Sequence, residues 1–152
     1  MILADLVWPA LYLAGGLVFS WAIAIGLVVE WPFAKWLTGY SWLGAWKPTL
    51  AMNLASALLG GFLIAVAGIA WEVFPGQLID AKTGLGTFNP ITWWGTFAMA
   101  VVINSIVEAL VLRKWFGVPA WRRAAGWLLI ANSLSVAAAA VAIRKDLVGF
   151  KS

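Results

Sequence analysis

The chain has 152 residues, of which 64% are apolar and 11% charged, a net charge of +4, and neither Cys nor His. With a mean hydropathy of +0.95 it lies outside the range of soluble domains, so lipid is the expected solvent. The missing Cys and His exclude disulfides, thiolate chemistry, the usual zinc sites and His or Cys haem ligation. No metal or other cofactor is expected. The basic residues sit at the ends of apolar segments, where they anchor and orient helices, so the positive charge does not point to nucleic acid.

Four segments are long enough to cross a bilayer: 8–29, 48–70, 91–112 and 124–143. The first has no basic n-region, and its small residues from Ala22 to Ala24 fall in mid-segment, so it reads as a retained span. Pro9 sits near its start, where a missing N–H costs nothing, and Pro32 is expected to end or kink it just past Glu30. The following stretch, 33–46, reads as an interfacial segment rich in Trp. After the second span, 71–89 reads as the longest loop, with Phe74-Pro75-Gly76 and Gly84-Leu85-Gly86. The latter reads as turn glycines, because no strand precedes and no Lys-Ser or Lys-Thr follows as a phosphate loop requires. Asn89 and Pro90 read as N-cap and first residue of the third helix. Trp31, Trp36, Trp42, Trp46, Trp115, Trp121 and Trp127 form one aromatic belt, and Trp8, Trp71, Trp93 and Trp94 the other.

The chain also matches itself. Glu30, Lys35, Trp36, Gly39, Trp42, Asn53 and Ser56 recur as Glu108, Lys114, Trp115, Gly117, Trp121, Asn132 and Ser135, at an offset of 78 or 79. Trp matches come cheaply among 12 Trp, but one pair uses two of only three Glu and another two of only four Asn. The expected fold is therefore an all-α integral membrane protein of four transmembrane helices, built as two tandem parallel-repeat hairpins. Residues 1–152 form one transmembrane domain, with repeat one over 8–70, repeat two over 90–143 and a connecting loop over 71–89. An even number of spans per repeat sets the pseudo-twofold axis along the membrane normal.

Asn53, Ser56 and Gly60 share one face of the second span, and Asn132, Ser135 and Ala139 share one of the fourth. Small residues extend both faces, so the second and fourth helices are expected to pack closely, each Asn hydrogen-bonded across an interface. Together with Asn104, Ser105 and Glu108 these Asn and Ser form a candidate polar cluster in the leaflet nearest loops one and three, while the opposite leaflet reads as almost wholly apolar. Glu108, an intramembrane carboxylate, reads as a salt-bridge partner of Arg113 or Lys114, or as a proton or cation carrier. Glu30, Lys35, Arg113 and Lys114 read as interfacial charges.

The sequence offers no His base, no Cys nucleophile, no paired carboxylates at acid/base spacing within a span and no Gly-x-Ser-x-Gly elbow, so an enzyme is not expected. The expected function is a non-catalytic membrane accessory, assembly or scaffold subunit that packs with other membrane helices. The alternative is a small proton- or ion-coupled transporter or oligomeric channel using the Glu/Asn cluster. Expected partners are the lipid bilayer and other integral membrane subunits or further copies of the chain. The Glu, basic-Trp, Asn-x-x-Ser hairpin resembles small bacterial membrane proteins, which implies a bacterial inner (cytoplasmic) membrane and nothing about activity. Six basic residues in loops one and three, against four on the other side, place those loops in the cytoplasm.

Overall fold

The computed structural model describes residues 20–84 and 89–149, and every regular element among them is helical. Helix α1 is Ser20–Thr38, α2 is Trp46–Thr83, α3 is Pro90–Phe116 and α4 is Trp121–Gly149. Trp8, Pro9, the first half of the first expected span, Gly86 and Lys151 lie outside the described residues.

Two expectations about helix ends are corrected. Pro32 does not terminate α1, which continues to Thr38. The proline removes one donor and lies on an exposed side of the helix. The helix stops instead at Gly39, whose φ of +71° is left-handed and whose N–H returns to Lys35 O at 2.9 Å. The connection to α2 is short and held by indoles. Trp31 stacks on Trp46 at 4.6 Å, meets Trp42 edge-on at 5.2 Å and donates its Nε1–H to Trp42 O at 2.8 Å. Within the stretch 33–46, residues 33–38 continue α1 and Trp46 opens α2.

The second correction concerns 71–83, expected as loop and found as helix. Here the chain passes Pro75 in a π turn, Glu72–Gly76. Proline has no N–H to give the carbonyl four residues back, and the five-residue spacing of a π turn lets the next N–H serve instead. A second π turn, Ser56–Gly60, lies earlier in α2. Gly84, at φ +64°, ends the helix as a turn glycine. Asn89 and Pro90 start α3 as expected, with Asn89 Oδ1 accepting the Ile91 N–H at 2.9 Å.

Of the four helices, α2 and α3 are long and apolar enough to cross a membrane over their described residues. At 38 residues α2 spans about 57 Å. Its most apolar stretch is only 22% buried, against 50% in α3, so most of that apolar surface faces outward.

Neighbouring helices pack in a closed order: α1 on α2, α2 on α3, α3 on α4, and α4 on α1. The expected close packing of α2 on α4 is replaced by packing of α2 on α3. The reason lies in which α2 residues are buried. From Met52 to Gly76 they are Met52, Ser56, Gly60, Ile64, Gly68, Glu72 and Gly76, one every fourth position. On α3, Leu112, Glu108, Asn104, Ala100, Thr96 and Thr92 are buried at the same spacing. Each step up α2 matches a step down α3: Met52 and Leu112 share one apolar cluster, Ser56 meets Glu108, Gly60 meets Asn104, and Ile64 shares a second cluster with Ala100. Four residues of a regular α-helix overshoot a full turn by about 40°. The two π turns in α2 absorb part of that drift, which keeps the stripe against α3.

This register predicts that cysteines replacing Ile64 and Ala100 together will cross-link within one chain under mild oxidation. A disulfide needs Cα atoms within about 7 Å, and small residues at these crossings allow such approach. Quantitative failure, read by mobility shift after proteolysis in the α2–α3 connection, would contradict the register.

Candidate functional site: the buried polar core

The polar side chains inside the bundle come in two matching sets. In the first hairpin Asn53 Nδ2 donates to Glu30 Oε2 at 2.7 Å and to Thr49 O, one turn back on α2, at 3.0 Å. In the second, Asn132 Nδ2 donates to Glu108 Oε2 at 2.7 Å and to Leu128 O, one turn back on α4, at 3.1 Å. Ser56 Oγ reaches Asn53 O at 3.2 Å, and Ser135 Oγ reaches Asn132 O at 3.1 Å. Asn53 thus joins α2 to α1, and Asn132 joins α4 to α3. Gly39 and Gly117 end α1 and α3 in the same left-handed conformation.

Glu30, expected at the interface, is 3% exposed, and Glu108 is 1% exposed. Neither forms an ion pair among the described residues. The expected Glu108 partners, Arg113 and Lys114, are exposed; five residues along a helix turn a side chain about 140° away, so Arg113 leaves the face that Glu108 occupies. Lys35 instead lies 4.8 Å over the Trp42 ring. The two carboxyls face the same interior. Ser56 from α2 lies beside the Glu108 carboxyl while its hydroxyl bonds Asn53 O on its own helix, and Glu108 is near enough for its charge to be felt by Glu30.

The other candidates do less. Ser105 returns its hydroxyl to Val101 O at 2.6 Å. Asn104 Oδ1 is buried without a partner and lies on Gly60, where any Cβ would overlap it. A Cα–H···O contact from Gly60 is what this close approach provides.

A second polar group lies where the far part of α2 meets the start of α3. Glu72, Thr92 and Thr96 are all buried. Thr96 is satisfied by Thr92 O at 2.9 Å, whereas Trp71 Nε1, Glu72 Oε1, Asp80 Oδ1 and Thr92 Oγ1 are buried without partners. The signal for this group is the four-residue stripe, which becomes visible once 71–83 is read as helix. Between α3 and α4 there is also an open groove of about 550 Å³, lined by Trp94, Phe97, Val101, Ser133 and Val136 among others, which holds no ionisable side chain.

No family model, curated protein or solved structure matches this chain.

Proposed function

We propose that the chain is an integral membrane protein, four transmembrane helices arranged as two tandem hairpins, that serves as a non-catalytic accessory, assembly or scaffold subunit. The observation that carries this reading is the outward apolar surface of α2, where Leu50, Leu54, Leu58 and Phe62 are each more than half exposed; such a surface needs lipid or other membrane helices against it. The matched Glu–Asn bonds support the tandem hairpin arrangement and act as staples, one for each hairpin. Affinity purification in a mild detergent tests the function: a membrane chain recovered in fixed stoichiometry supports it, and a lone monomer in native nanodiscs overturns it.

In this reading loops one and three face the cytoplasm of a bacterial inner membrane. Single cysteines at Ser41 and Ala120, both exposed, should react with a membrane-impermeant maleimide only in inside-out vesicles, and one at Thr83 only in right-side-out ones. The reverse pattern would invert the topology.

A second reading, a small proton- or ion-coupled transporter or oligomeric channel, is favoured by two buried carboxyls, Glu30 and Glu108, on facing helices of one bundle, where a proton or small cation could be held. Reconstituted protein separates the two. A Glu108→Gln variant that keeps its fold and abolishes a measured flux supports transport, and no flux in the unaltered protein supports the scaffold.

A further inference from the structure

The far end of α2 carries an unpaired acidic notch. Glu72, Gly76 and Asp80 follow one another at four-residue intervals, so they lie along one side of the helix. Gly76 is what opens the notch: a Cβ there would stand 2.8 Å from Glu72 Oε2 and 3.2 Å from Trp71 O. The Glu72 carboxyl leans into the space that glycine leaves, and Asp80, half-buried, adds a second negative charge on the same side of the helix. No described Lys or Arg forms an ion pair with either residue.

Three buried oxygens in this region lack a hydrogen-bond partner among the described residues: Glu72 Oε1, Asp80 Oδ1 and Thr92 Oγ1. Thr92 belongs to α3, is 1% exposed, and stands opposite Glu72 in the register that pairs Ile64 with Ala100. Contact between the Trp71 ring and Gly95 holds α3 against this part of α2. The backbone is also irregular here, since Glu72–Gly76 is a π turn, a form often found at functional sites. Buried carboxylates are ordinarily compensated by a cation, a metal or donors. Here donors are few and the unsatisfied atoms are mostly oxygen.

We propose that Glu72, Asp80 and Thr92 form a binding site for one hard divalent cation of the Ca²⁺ class, with water completing the coordination shell. Two carboxylates match the charge of such an ion, and carboxylate and hydroxyl oxygens match its preference. The site lies at the end of the bundle opposite the Glu30 and Glu108 pair, so it is independent of the function proposed above. Binding ties α2 to α3 where the two helices leave their apolar contact.

Terbium(III) tests this directly, because it substitutes for Ca²⁺ and luminesces when a nearby indole is excited, and Trp71 adjoins Glu72. Purified full-length protein in detergent should give a saturable terbium signal that Ca²⁺ displaces, and Ca²⁺ should raise its unfolding temperature by a few degrees over an equal ionic strength of NaCl. Glu72→Gln and Asp80→Asn should each abolish both effects while unfolding cooperatively in EDTA, and Trp71→Phe should weaken the luminescence but keep the thermal shift. An unaltered protein that shows neither signal overturns the proposal. So do both acidic variants retaining the full response, which would place the ion elsewhere.

Discussion

Replacing Gly60 with Ala is expected to destabilise the protein by about 1–3 kcal/mol, the usual cost of forcing extra volume into a closely packed contact, whereas the same change one residue later, at Gly61, is expected to stabilise it by about 0.5–1 kcal/mol. Both glycines have helical backbone angles, with φ of −62° and −55°, so the intrinsic preference for Ala is the same at each. They differ in what a methyl group would meet. At Gly60 it overlaps Asn104 Oδ1, and at Gly61 nothing lies within 4 Å. Asn104→Ala in the Gly60→Ala background should recover most of the loss, because the obstructing oxygen makes no hydrogen bond and its removal leaves no donor orphaned. Unfolding of purified protein by SDS in mixed micelles reads all three variants. Equal effects at the two glycines would mean that α2 and α3 do not approach at Gly60.

A loss of similar size is expected from Asn132→Leu, which keeps the side-chain volume and removes the amide that holds Glu108 Oε2 at 2.7 Å. A buried acceptor deprived of its donor costs about 1–3 kcal/mol, and interhelical polar contacts in membrane proteins fall toward the lower part of that range, to about 1.7 kcal/mol. The double-mutant cycle with Glu108→Gln should show coupling of about 0.5–2 kcal/mol by the same measure. Arg113→Ala and Lys114→Ala, both on exposed side chains, should stay within about 0.5 kcal/mol of the unaltered protein. Asn53→Leu should cost less than Asn132→Leu, since Asn53 is only half-buried while Asn132 is 1% exposed. Strong coupling between Glu108 and Arg113 instead would restore the ion-pair assignment that the sequence suggests.

Part of this site is legible before any coordinates. Glu30 and Asn53, 23 residues apart, recur as Glu108 and Asn132, 24 apart, which singles out these four residues without saying that each Glu meets its Asn. Helix ends are legible where glycine or an Asn-Pro pair marks them, as at Gly39, Gly117 and Asn89. The sequence is silent on two points, each for a physical reason. A partner for Glu108 is sought among its neighbours in the chain, because proximity in sequence is visible and helical phase is easily neglected; Arg113 is near in sequence and on the wrong face. Pro75-Gly76 carries every sign of a loop, since regular α geometry does not accommodate proline cheaply. Only the wider turn lets the helix pass it, and with 71–83 assigned to a loop, Glu72 has no face and Thr92 no partner across from it.

The two wide turns in α2 have a consequence for how this chain can vary. A π turn is a helix carrying one residue more than the regular repeat requires. Deleting any one of Ala57, Leu58 or Leu59 would therefore let the segment relax to ordinary α geometry while Ile64, Gly68 and Glu72 keep their phase relative to Met52 and stay against α3. Adding a residue there would instead turn everything beyond it by about 100° about the helix axis and carry exposed side chains such as Phe62 and Val66 toward α3, although no contacting residue had been substituted. Between Met52 and Glu72 the helix thus has room to lose one residue but not to gain one.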